Sequence, residues 1–131
     1  MNDAPALNTV SLHTDGYIEV ILVGDQNYQT IETSANECKE LVGQLNYRQK
    51  PLLGLIDLSH EKEFSTGANK AAMEAMGEIA YDRIAIFGGS KVLDEVAKLI
   101  VKALGKDEQT MVFDTREEAV AWLLMKDPLG R

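Results

Sequence analysis

The runs LLGLIDL (52–58) and RIAIFG (83–88) are almost uniformly apolar. A strand without polar alternation needs cover on both faces, as at the centre of a parallel sheet. Between them, residues 66–80 are rich in alanine and methionine and set Ala68, Ala72, Met76 and Ile79 on one side of a helix. Buried strand, helix and buried strand make a crossover unit. That feature commits the chain to an α/β fold with a mainly parallel sheet.

The flanking segments extend the unit. TVSLH (9–13) and YIEVILV (17–23) read as strands, and Thr14-Asp15-Gly16 between them predicts a tight antiparallel hairpin. From Ser34 the period changes. Ser34 and Glu37 have capping-box spacing, and Cys38, Leu41, Val42 and Leu45 follow on one helical face, with Lys50-Pro51 as the stop. Gly88-Gly89-Ser90 opens a third helix whose apolar stripe is Val92, Val96, Leu99, Ile100 and Ala103. Asp94 and Lys98 pair on its wet side, and Gly105 is its C-cap. TMVF (110–113) is a last short strand. Thr115 and Glu118 then cap a helix that turns Ala119, Trp122 and Leu123 inward, and Asp127-Pro128 ends it. The order is β-β-α-β-α-β-α-β-α. It implies a mixed sheet of about five strands, an N-terminal antiparallel hairpin and about four helices. With no repeat, linker or low-complexity stretch, residues 1–131 are expected to form a single domain.

Charge and composition exclude several functions. Thirteen basic against 21 acidic residues give a formal charge of −8, which repels nucleic acid and anionic lipid headgroups. Cys38 is the only cysteine, so no internal disulfide forms, and a buried thiol in a reducing compartment is expected. No CxxC or Cys/His cluster suggests a metal, and His13 and His60 lie too far apart for ligand spacing. The start lacks the pattern of a secretory signal, and the longest apolar stretches fall well short of the roughly 20 residues of a membrane span. A cytoplasmic protein without a cofactor is the expectation.

Two stretches then carry a likeness. LLGLIDLS (52–59), followed by Ser65-Thr66-Gly67, is one. YDRIAIFGGS (81–90) with MVFDTREEAVAWL (111–123) is the other. Together with the element order they resemble the STAS domain of anti-sigma-factor antagonists, and particularly its SpoIIAA-like branch. The resemblance implies a STAS-like α/β fold and a non-enzymatic regulatory or binding module. It also implies a protein partner, an anti-sigma-factor-like kinase, and a phosphorylated serine at the position of Ser65. Asp57-Leu58-Ser59 fits the first part of the antagonist pattern. Phe64 stands where the second part has an aspartate.

The expected site is a rim outside the carboxyl ends of the parallel strands, where ligands of open α/β sheets gather. It comprises Asp57, Ser59, His60, Ser65, Thr66, Gly67, Gly88, Gly89 and Ser90. It would hold a protein partner or a small apolar or anionic ligand. Ser65 or Thr66 reads most simply as a helix N-cap, and Ser65 also as a phosphoacceptor, since a helix N-terminus favours an anion. GGSK (88–91) lacks the frames of nucleotide-binding loops and reads as a turn capped by Ser90. Asp57, His60 and Ser65 supply the residue types of a hydrolytic triad, so a small hydrolase or transferase is the alternative, although no nucleophile elbow is present. A homodimeric structural component is a third expectation.

Overall fold

The computed structural model describes residues 8–45 and 51–125. The elements are β1 (Thr9–Leu12), β2 (Tyr17–Gln26), α1 (Tyr28–Gln44), β3 (Leu53–Phe64), α2 (Thr66–Glu78), β4 (Arg83–Phe87), α3 (Lys91–Ala103), β5 (Thr110–Phe113) and α4 (Arg116–Leu124). The strands form one five-stranded sheet in the order β1-β2-β3-β4-β5. β1 pairs antiparallel with β2, and the remaining pairs are parallel.

The hairpin forms as the Asp-Gly pair predicts, but with a longer loop. His13 N–H donates to Tyr17 O at 2.8 Å and Gly16 N–H to His13 O at 2.9 Å, while Gly16 takes φ +98°. This is a three-residue loop with a left-handed glycine, whose twist matches the strands.

Alternation along β3 splits the core into two layers. Ile56 and Leu58 join Val20, Leu22, Ile84 and Ile86 on the face packed by α1, α2 and α3. Leu53 and Leu55 join Tyr17, Ala85 and Phe87 on the other face, covered by Ala119 and Leu123 of α4. Both faces of the centre are covered, as the unbroken apolar runs require.

Three boundaries differ from the sequence reading. α1 begins at Asn27 rather than Ser34: Asn27 Oδ1 accepts from Thr30 N–H, and Thr30 Oγ1 accepts from Asn27 N–H, both at 2.9 Å. Ser34 lies buried inside the helix, donating to Thr30 O and accepting from Asn8 Nδ2. The first turn of α1 carries Thr30 and Ile31 and little apolar periodicity, so its pattern did not read as helix. β3 continues through Phe64 because the long β2 pairs with it as far as Gln26, opposite Phe64. On α3, Val92 and Leu99 are 75% and 68% exposed, and the buried face is Leu93, Ile100 and Val101. Valines and leucines surround this helix on most sides, so periodicity alone could not choose the face. Lys50 and Asp127-Pro128 lie outside the described residues.

Candidate functional site

The predicted rim residues resolve into three groups. Asp57 pairs with Phe87 at the carboxyl end of β4, but β3 runs on past it. Its side chain falls on the Leu53/Leu55 face, the α4 side, and the residue is 7% exposed. Asp57 Oδ1 accepts from Ser59 N–H at 2.8 Å and from Ser59 Oγ at 2.5 Å, and Oδ2 lies 4.0 Å from His60 Nε2. His60, expected in a loop, belongs to the strand and is exposed. Gly88, with φ +83°, crosses directly over Ser59: a Cβ there would lie 2.8 Å from Ser59 Cβ.

Ser65 belongs to the second group. Its N–H donates to Gln26 O at 3.1 Å and its Oγ accepts from Ala68 N–H at 3.0 Å, so it caps α2. Thr66 starts the helix, and Gly67 packs against Tyr28, where an added Cβ would sit 3.3 Å from Tyr28 Cβ. Ser65 and Thr66 are exposed. Eight steps of extended chain separate Ser65 from Asp57, about 26 Å at about 3.3 Å per residue. They also serve opposite layers, since α2 packs on the three-helix face. Among the described residues Asp57, His60 and Ser65 do not form a hydrogen-bonded relay.

Gly89 and Ser90 make the third group. Ser90 Oγ accepts from Leu93 N–H at 3.1 Å and caps α3. Ser90 also lines a groove of about 270 Å³ between α3 and the far end of β3, together with Glu61, Lys62 and Glu63. Burial and the nearby Asp25 carboxylate push the Glu61 carboxyl above its ordinary range.

The groove shares Phe64, Asn69, Leu93 and Val96 with a partly open cavity of about 140 Å³ between the sheet and α1, α2 and α3. The cavity walls are aliphatic and aromatic: Leu22, Ile31, Leu58, Met76, Ile79 and Ile86 are among them. Two polar atoms in this lining, Asn69 Oδ1 and Tyr81 Oη, are buried without a hydrogen-bond partner. Cys38 Sγ lies near enough to Tyr81 to affect its titration, yet outside hydrogen-bonding geometry. Burial drives both the Tyr81 hydroxyl and the Cys38 thiol upward, so both stay protonated at neutral pH.

The sequence reading missed this cavity. Alanines along a helix such as α2 ordinarily mean close packing against a neighbour. Ala68 and Ala71 do pack closely, but Ala72 and Ala75, with Ala97 of α3, are short side chains lining the space. The signal was present as alanines on two successive helices, but a sequence does not say whether a short side chain draws the backbone in or leaves room.

A family model described as SpoIIAA-like matches residues 17–124. The chain belongs to the SpoIIAA-like family. Two solved structures share the fold. One is an uncharacterized protein of the DUF3478 family with a SpoIIAA-like fold from Shewanella loihica PV-4. It is 15% identical with a TM-score of 0.69, and 94% of this chain and 98% of that chain are covered. The other is the anti-sigma factor antagonist SpoIIAA in its unphosphorylated form, at 14% identity and a TM-score of 0.56, covering 88% of this chain and 94% of that one. At such identities the likeness is one of fold. No curated protein matches the chain. The resemblance read from LLGLIDLS and the C-terminal pattern is borne out at the level of family and fold. Among the described residues no helix is long and apolar enough to cross a membrane, and no cluster of His, Cys, Asp or Glu is suited to a metal.

Proposed function

We propose that this single-domain chain is a non-enzymatic binding module that holds a small, mainly apolar molecule between the sheet and helices α1 to α3. The observation that carries the reading is the cavity of about 140 Å³, which shares lining residues with the groove beside Ser90. An engineered apolar cavity of about 150 Å³ in another protein binds benzene and xenon, so the size is adequate for a ring or a short branched chain. Left empty, such a space costs on the order of 3 kcal/mol at about 24 cal/mol per Å³. The lining exposes no polar surface, so a mainly apolar molecule fits best.

Toluene and phenol are suitable probes. Both are expected to raise the thermal midpoint, because a ligand that binds only the folded state stabilises it. Ala97→Leu fills part of the cavity and is expected to abolish the increment while leaving the protein folded. Equal increments in both proteins, or none in either, would overturn the reading.

A second reading is supported by the position of Ser65. Its exposed hydroxyl lies at the N-terminus of α2, where a phosphate meets free N–H groups and the positive end of the helix dipole. By resemblance to an anti-sigma factor antagonist, a kinase-bearing protein partner would read this position. The new charge would act at the rim without entering the core. Mass spectrometry of the protein purified from its host is expected to find phosphate on Ser65, and unmodified Ser65 throughout growth would remove this reading. The Asp57/His60/Ser65 hydrolase alternative lacks support, because Asp57 faces the other layer and β3 runs on without a break between it and Ser65.

A further inference from the structure

β5 closes one end of the sheet, and among the described residues its outer side has no strand beside it. Gln109 O accepts from Ile84 N–H at 2.8 Å, so Gln109 points its carbonyl at β4. Main-chain direction alternates along a strand, which turns the N–H and C=O of Thr110 and Val112 outward. Helix α3 overhangs this edge. Between them runs a groove of about 400 Å³, with Lys98 and Lys102 on the helix wall and Thr110, Met111 and Val112 on the strand wall. Asp107 is the one carboxylate in the lining.

Two further features mark the groove as more than a bare edge. Thr110 is 7% exposed, and its Oγ1 is buried with no hydrogen-bond partner. Met111, next to it, is 43% exposed, a large apolar side chain on the outer strand. Natural edge strands are blunted by shortness, by cover, by proline or by charge; β5 has four residues and lies partly beneath α3, so room for a further strand is confined to the groove. TMVF carries neither proline nor charge.

We infer that the β5 edge and α3 form a docking groove for an extended acidic segment of a partner protein, which adds to the sheet as a sixth strand. Main-chain bonds to Val112 would hold the backbone, and Lys98 and Lys102 would select acidic side chains. The lysines stand out on a chain whose formal charge is −8. A symmetric β5–β5 pairing with a second copy fits less well. Such an interface brings the same patch of both copies together, so Lys98 and Lys102 of one would face those of the other. The groove lies on the side of α3 away from the apolar cavity, and the inference stands independently of it.

The test is selection from a random-dodecamer phage library on the immobilised full chain, followed by fluorescence anisotropy with the selected peptide. Acidic sequences with alternating apolar positions are expected. Lys98→Glu combined with Lys102→Glu changes only exposed side chains and is expected to weaken binding at least tenfold. Val112→Pro removes an outward N–H without touching the ladder to β4 and is expected to weaken binding similarly, whereas Val112→Ala, which gives up the same core contact but keeps the N–H, is expected to bind as the wild type. Enrichment of basic or helix-forming peptides, no enrichment above background, or binding indifferent to the lysine changes would overturn the inference. So would a wild-type dimer in light scattering that Val112→Pro converts to monomer, since a second copy would then own the edge.

Discussion

Gly88 shows how one backbone position fixes the rim. Its φ of +83° belongs to the left-handed region, and an added Cβ would lie 2.9 Å from the backbone nitrogen of Ser59 as well as against that residue's Cβ. Neither Ser59 nor Gly88 has room to yield, because β3 and β4 are locked together by the Asp57–Phe87 register just before this point. Gly88→Ala is expected to lose roughly 2–4 kcal/mol of stability, from strain and overpacking together. Gly43, in α1, has open space around it, and Gly43→Ala is expected to gain up to about 1 kcal/mol through helix propensity. Urea denaturation of the two variants checks both signs, and an equal effect would contradict the packing described for Gly88. Of these two roles the sequence disclosed only the first in outline: Gly88-Gly89 read as a turn, but its approach to Ser59 depends on the sheet register. Asn69 was invisible for a related reason. A polar residue in an alanine-rich helix reads as solvent-facing until the neighbouring helices are placed.

At the scale of an element, α3 carries most of the unexpected behaviour. The sequence marked its start at Ser90 and its end at Gly105, and both hold: Gly105 takes φ +69° and Lys106 N–H returns to Val101 O at 2.9 Å. Its orientation was not legible, because Val92, Val96 and Leu99 compete with Leu93, Ile100 and Val101 for the core. The same rotation brings Asp94 inward, against Gly89, with Oδ1 buried and unpartnered. Burial raises the Asp94 carboxyl above its ordinary range, and the nearby Lys98 opposes this only in part. The folded protein therefore keeps a proton that the unfolded chain has already released just above the ordinary aspartate range. The stability from that proton is complete below the unfolded pKa and is lost as pH rises through the folded one. Lowering the pH from about 7 to about 4.5 should raise the urea midpoint through this group, and Asp94→Asn should show a smaller rise. Glu61 shifts in the same direction but is common to both proteins, so the difference isolates Asp94. Identical pH profiles would show that Asp94 is not desolvated in the folded state. β3 gives the opposite lesson to α3. Its apolar half was read correctly, and its charged half was taken for a loop because HEKEF (60–64) has no strand-like alternation; only the length of β2 beside it extends it to Phe64.

For the whole molecule, the order of strands and helices was legible because buried parallel strands and capped helices leave distinct periods in the sequence. The family follows from that order and from the motifs, as the match over residues 17–124 shows. The site was legible only as a rim. Asp57 and Ser65, eight positions apart in the sequence, are kept apart by the unbroken strand between them, and the proposed binding space lies between the sheet and the helices, where short side chains leave room. Function in this account resides in that space and not in a constellation of reactive groups. Its most direct test is a methyl-resolved NMR titration with xenon, an apolar probe that makes no hydrogen bonds. The account predicts saturable shifts concentrated on Met76, Ile79, Leu93 and Ala97, and their loss in Ala97→Leu. Shifts that rise linearly with xenon pressure and scatter over the exposed side chains of α3, Val92 and Leu99 among them, would contradict it.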